Sequence, residues 1–310
     1  MKVDKAKKAV FVICLVCSAL PMMGTASALI LGILFSLLLG NPWPSMSSLW
    51  SKRILQMSVV GLGFGLSLGD VMHAGKESLL YTVAGITFTL LAGYAIGRVF
   101  KTGRTTSALI SFGTAICGGS AIAAMAPVMR AKDDETAVAL ATVFTLNSIA
   151  LLLFPLVGHA LHLSQSVFGT WAGLAIHDTS SVVGATAAFG TQALAVGTTV
   201  KLARAVWITP LAMGAAWLKN SKQKATIPMF IIGFIAAASA RSLFPQLNDL
   251  WSHLSVVARH GLAATLFLIG AGLSRDVLRS VGLGPLLHGA TLWLLVSSLT
   301  LFALIFVGLA

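Results

Sequence analysis

Apolar residues in this chain come in long runs separated by short polar gaps. The runs fall at about 8–21, 24–40, 55–69, 78–97, 105–127, 136–158, 168–189, 194–218, 225–243, 258–273 and 286–308. A helix that crosses a bilayer needs about 20 apolar residues. The pattern therefore predicts an all-α polytopic membrane protein with about eleven transmembrane helices. Several runs are short, and several carry Gly or Pro. The gaps are brief, so residues 1–310 read as a single transporter-sized membrane domain with no linker.

Composition agrees with the pattern. Of the 310 residues, 57% are apolar and 10% are charged. Soluble domains carry about 25% charged residues. The mean hydropathy is +0.91 and the pI about 10.1. A net charge of +12 could point to nucleic acid. Here, however, the basic residues punctuate apolar runs and form no stripe, so no nucleic-acid partner is expected and the lipid bilayer is. With the N-terminus inside, the inside segments hold fourteen Lys and Arg, including Lys5, Lys7, Lys52, Arg53, Arg98 and Lys101. The outside segments hold five: Lys76, Arg130, Lys132, Arg241 and Arg259. This bias predicts a cytoplasmic N-terminus.

The N-terminus also imitates a secretory signal, with a Lys-rich start, an apolar stretch and Ala26-Ser27-Ala28. Another apolar run follows at once, so Ala9–Leu20 reads as a short first span, with cleavage as the lesser alternative. Cys14 and Cys17 form a C-x-x-C pair without the polar company that zinc or redox chemistry needs. No His/Glu spacing suggests a metal, and no phosphate loop suggests direct ATP drive. No cofactor is expected.

Two internal likenesses stand out. Gly65-Leu66-Ser67 with Asp70-Val71 resembles Gly272-Leu273-Ser274 with Asp276-Val277. These lie seven spans apart, which is the geometry of an inverted repeat. The stretch Ala115–Ile122 resembles Ala175–Val182, and Pro155-Leu156 parallels Pro210-Leu211. That second pair lies two spans apart and runs in the same direction. Both likenesses fit one scheme only if one is chance or one segment is a re-entrant hairpin.

Three constellations could carry chemistry. The first is Cys117, Gly118, Gly119 and Ser120, which interrupt the fifth run. Adjacent glycines weaken a helix by about 1 kcal/mol each. A break at membrane depth exposes backbone N–H groups that attract anions. The alternative is close helix packing through small residues. The second is His177, Asp178, Thr179, Ser180 and Ser181, five polar residues between apolar flanks. An ionised Asp at bilayer depth must face a cavity, pair with a cation or carry a proton; the alternative is a solvated interfacial loop. The third is Lys201 and Arg204, at i and i+3 on one helix face. They suit an anionic substrate, with Arg offering a planar fork to an oxyanion, or else they pair structurally with Asp178. Asn147 could line the same cavity or bridge helices. Asp133, Asp134 and Glu135 read as a solvated face at the start of the sixth run.

The stretches Ala115–Pro127, Trp171–Val183 and Val200–Arg204 together resemble the YeiH family of bacterial inner-membrane proteins, also called the sulfate exporter family. The likeness runs over nearly the whole chain. It implies kinship with cation/proton antiporters and bile-acid symporters, which use inverted repeats, crossing broken helices and an elevator-like core. The broken segments would then be those around Cys117–Ser120 and His177–Ser181. The family's suggested cargo is sulfate, sulfite or organosulfonate.

The leading expectation is thus a secondary transporter exporting a small oxyanion, located in the inner membrane. Inside-negative potential favours anion export by about 2.3 kcal/mol per charge per 100 mV. Uptake would need a coupling proton or sodium ion. The alternative is a cation/proton antiporter with Asp178 as the ion-binding carboxylate and the two cations as counter-charges. An intramembrane enzyme using Cys117 or His177 is disfavoured, because no spacing forces a nucleophile against a base. Elevator analogy allows a homodimer.

Overall fold

The computed structural model describes residues 2–20, 23–218, 229–272 and 282–306. Among these there is no strand. Fourteen α-helices follow one another: α1 (Lys2–Ser18), α2 (Thr25–Leu39), α3 (Pro44–Gly63), α4 (Leu68–Val99), α5 (Arg104–Ala115), α6 (Gly119–Met129), α7 (Asp133–Ala160), α8 (Gln165–Ala175), α9 (Thr179–Phe189), α10 (Thr191–Val206), α11 (Ile208–Leu218), α12 (Met229–Leu243), α13 (Asn248–Gly272) and α14 (Leu283–Phe306).

Every apolar run holds a helix or a pair of helices. The runs at 105–127, 168–189 and 194–218 each fold as two. By length and composition, four stretches could cross a membrane: Leu79–Val99, Asp133–Ala160, Pro245–Gly272 and Leu283–Phe306. Large apolar side chains stand exposed along the helices, Leu38, Leu80, Leu91 and Phe302 among them.

Three helices, α3, α4 and α13, begin ten or more residues before their apolar runs. α3 starts at Pro44, whose fixed φ and missing N–H suit the first helical position. α13 starts at Asn248, ten residues ahead of the expected 258. Its first turns mix polar residues with the buried Trp251, Ser255 and Ala258. A search for unbroken apolar runs passes over such half-buried turns.

The chain divides into two compact units. The first comprises Met1–His73 and Pro228–Asp276. Its centre is α13, against which α1, α2 and α3 pack. Glycine brings the backbones together. A Cβ on Gly63 would lie 2.5 Å from the Phe234 carbonyl oxygen, and one on Gly61 would lie 2.6 Å from Ala258 Cβ. Phe11 packs edge-on against Phe35 and Trp43 and tilted against Phe267. Asn41 ties helix ends together. Its Nδ2 donates to the Ala271 carbonyl at 3.1 Å, and its Oδ1 accepts from the Trp43 N–H at 2.9 Å. Between α3 and α4, Ser67 N–H donates to the Asp70 carboxylate at 3.2 Å, and Asp70 N–H donates to Ser67 Oγ at 3.1 Å. That is the reciprocal cap of a helix start. Residues 273–277, the second copy of this motif, lie outside the described residues.

The second unit comprises Ala74–Ile227 and Val277–Ala310. Leu109, Ile110, Ile122, Met125, Val128 and Val143 form its apolar core around α5, α6 and α7. α8 and α10 approach closely through Gly169, Gly173 and Gly197. Trp171 stacks on Phe154 at 4.1 Å, and its Nε1 donates to the Ser297 carbonyl at 3.0 Å, joining α8 to α7 and α14. All the candidate residues lie in this unit.

Candidate functional site at two helix breaks

The fifth and seventh apolar runs break at matching positions. α5 ends at Ala115 and α8 at Ala175; α6 begins at Gly119 and α9 at Thr179. The breaks, 116–118 and 176–178, fall in register with the sequence likeness between 115–122 and 175–182. Local chemistry explains both. Gly118 takes φ 61° and ψ −122°, which a side chain resists. Ile176 is extended, and Asp178 caps the next helix in an extended conformation.

Each break leaves two kinds of orphan backbone group. The ending half-helix has carbonyls without partners, and the starting one has N–H groups without partners. The carbonyls are satisfied from α10. Lys201 Nζ donates to the Ile116 oxygen at 3.0 Å and to the Ile176 oxygen at 2.6 Å. Arg204 Nε donates to the Ala115 oxygen at 2.5 Å, and Nη1 donates to the Leu174 oxygen. Each cation therefore binds both broken helices. The i, i+3 spacing on α10 makes this possible. It also places positive charge at the negative ends of two half-helices. Lys201 is 0% and Arg204 1% exposed.

The starting ends face the other way chemically. Asp178 accepts from Ser180 N–H at 3.0 Å and from the Ser180 hydroxyl. Asn147 Oδ1, on α7, accepts from the Asp178 N–H at 3.3 Å. The N-cap of α6 is Gly118, which has no side chain to cap it; the Cys117 sulfur reaches the first turn instead, at the Ala121 backbone and the Ser120 side chain. The two breaks touch, since a Cβ on Gly118 would lie 3.4 Å from the Cα and Cβ of Asp178.

The structure thus brings together the residues singled out from the sequence. Cys117 and Gly118 are buried in the first break, Gly119 opens α6, and Ser120 stands exposed on its first turn. His177 is enclosed in the second break, Asp178 is half-buried, and Thr179, Ser180 and Ser181 form the first turn of α9. Pairing of Lys201 or Arg204 with Asp178, which the sequence left open, is not made. Among the described residues no ion pair joins them; backbone carbonyls take that place. No sequence signal marks a main-chain oxygen as a partner for a cation.

Several buried polar atoms here lack partners: Asn147 Nδ2, Arg204 Nη2 and both ring nitrogens of His177. The hydroxyls of Thr114, one residue before Ala115, and Thr198, one turn before Lys201, are also unpartnered. Thr198 was legible in principle from its i−3 spacing to Lys201. The Asn147 orientation follows from its bond: the atom that accepts the Asp178 N–H is the oxygen, so the free atom is the donor. Among the described residues no group of three His, Cys, Asp or Glu could hold a metal.

Comparison with known proteins supplies relatives over the full length. A family model described as conserved hypothetical protein 698 matches residues 8–289. A UPF0324 membrane protein of Geobacter sulfurreducens is 61% identical over 304 residues, covering 98% of each chain. One from Bdellovibrio bacteriovorus is 47% identical over 312 residues, covering 98% of this chain and 96% of its own. One from Bacteroides thetaiotaomicron is 53% identical over 283 residues, covering 90% and 86%. No solved structure matches.

Proposed function

This chain belongs to the UPF0324 family of membrane proteins, the YeiH family, and from that premise we propose that it is a secondary transporter for a small oxyanion of the sulfate, sulfite or sulfonate type. It works by elevator-like alternating access through about eleven spans in the bacterial inner membrane, N-terminus inside. The direction is export, which the membrane potential alone can drive. The observation that carries this reading is the kind of polar atom left without a partner at the breaks. Asn147 Nδ2 and Arg204 Nη2 can only donate. An acceptor-rich ligand satisfies them; a metal cation cannot.

The start of α6, whose N-cap Gly118 brings no side-chain oxygen, points the same way. Its N–H groups and half-helix dipole form an anion seat, and the orphan donors are a separate sign of a ligand. Lys201 and Arg204 act mainly by holding the carbonyl ends of α5 and α8, and by lending their positive field.

One observation favours the alternative, a cation/proton antiporter. All four hydrogen bonds from the two cations go to backbone carbonyls, so the cations serve as counter-charges while Asp178 binds the ion.

The deciding experiment uses proteoliposomes loaded with labelled sulfate, sulfite or sulfonate. Efflux is followed under an imposed potential, with and without proton or sodium gradients. Potential-driven flux of an oxyanion supports the proposal. Sodium or proton exchange that persists without any anion overturns it in favour of the antiporter.

A further inference from the structure

We propose that the site is built for one negative charge, so that its substrate is a monovalent oxyanion, and that Asp178 is the residue that sets this valence. The inference rests on the oxyanion reading above and names the class within it.

The charges gathered at the two breaks leave a single positive excess. Four half-helix ends meet there: the carbonyl ends of α5 and α8 and the N–H ends of α6 and α9. Each carries roughly half a charge, negative for the first two and positive for the others, so they cancel in pairs. Lys201 and Arg204 bring two positive charges, both held on carbonyls. Asp178 brings one negative charge, held on the Ser180 N–H and hydroxyl. His177 counts as neutral, since no acceptor is in reach for an imidazolium proton. One positive charge is left over.

Among the described residues of the helices that carry the breaks, no other charged side chain lies near them. On α5 the nearest charged side chain is Arg104, eleven residues before Ala115 and about 16 Å away along the helix. After α6 it is Arg130, about 18 Å from Gly118, and on α7 it is Glu135, about 18 Å from Asn147. α8 and α9 carry no charged residue.

A monoanion therefore neutralises the site. A dianion leaves one unpaired negative charge in a buried place, which is the costly outcome for buried ions. The orphan donors Asn147 Nδ2 and Arg204 Nη2 suit the oxygens of either, so hydrogen bonding fixes the oxyanion class and charge fixes its valence. It follows that the loaded site is neutral and the empty one carries a single positive charge, which moves one charge per anion exported.

The test compares two similar tetrahedral probes, methanesulfonate and sulfate, in proteoliposomes of the full chain. Efflux runs at pH 7.5 with potassium and valinomycin holding the potential at zero, so driving force per charge does not enter. Wild-type protein is expected to move methanesulfonate at least tenfold faster. Asp178→Asn removes the charge while keeping an equally good helix cap. It should shift the ratio toward sulfate by roughly tenfold or more. Asp178→Ser, another good cap, should shift it likewise.

Sulfate flux equal to or above methanesulfonate in the wild type overturns the inference but leaves the oxyanion reading standing. So does a ratio that neither variant changes. If neither variant folds, the wild-type ratio decides. If no anion moves and sodium or proton exchange does, the oxyanion reading itself has failed.

Discussion

Lys201 donates to the carbonyl oxygen of Ile176 at 2.6 Å, across 25 residues of chain. That bond turns a side chain suited to substrate into a strut that ends a helix. The same ammonium holds Ile116 in the other broken segment. Removing it leaves two buried carbonyls without partners. Each such loss costs about 1–3 kcal/mol, so Lys201→Met should destabilise the protein by about 2–6 kcal/mol. Thermal unfolding in detergent, followed by helical signal, measures it. A variant that transports poorly but unfolds at the wild-type temperature would return Lys201 to a direct substrate role.

Gly118→Ala tests the first break. At φ 61° an L-residue is strained by about 1–3 kcal/mol. The new methyl would also meet Asp178 Cα and Cβ and Val143 Cγ1, each 3.4 Å away. Transport should fall by at least tenfold, with modest loss of stability. Flux per folded molecule, normalised by size-exclusion recovery, separates the two effects. Full activity would show that the break needs no glycine.

Asn147→Asp changes one atom from donor to acceptor and keeps the oxygen that takes the Asp178 N–H. The added charge cancels the single positive excess. Oxyanion flux should drop by tenfold or more while the protein still elutes as one species. Undiminished flux would mean that Asn147 serves only to tie α7 to the second break.

The first unit makes a prediction about packing alone. Gly63→Ala sets a Cβ 2.5 Å from a backbone oxygen of α12, which must shift. Overpacking of this kind costs about 1–3 kcal/mol. Gly85→Ala, on α4 with nothing within 4 Å of the new Cβ, is the control. Helix propensity predicts no loss there and a gain of up to about 1 kcal/mol. Paired thermal melts decide; equal melting temperatures would mean that α3 and α12 can separate freely.

Local features of the chain sufficed for the helical class, the family and the places where two helices break. These follow from local causes. Apolar runs demand helices in lipid, because every backbone group there must find an internal partner. Double glycine and a polar pentad interrupt those runs. The starts of α3, α4 and α13 were not legible in the same way, because no unbroken apolar run marks them.

Which groups the buried cations serve depends on contacts between distant segments. The sequence placed Lys201 and Arg204 on one helix face and offered Asp178 or a substrate anion as partner. Carbonyls of Ala115, Ile116, Leu174 and Ile176 took that place instead. Every residue carries the same main-chain oxygen, so nothing in the letters distinguishes these four. They become acceptors only because two helix ends and one helix face arrive at the same point, and an orphan carbonyl buried there must be satisfied by whatever donor is within reach.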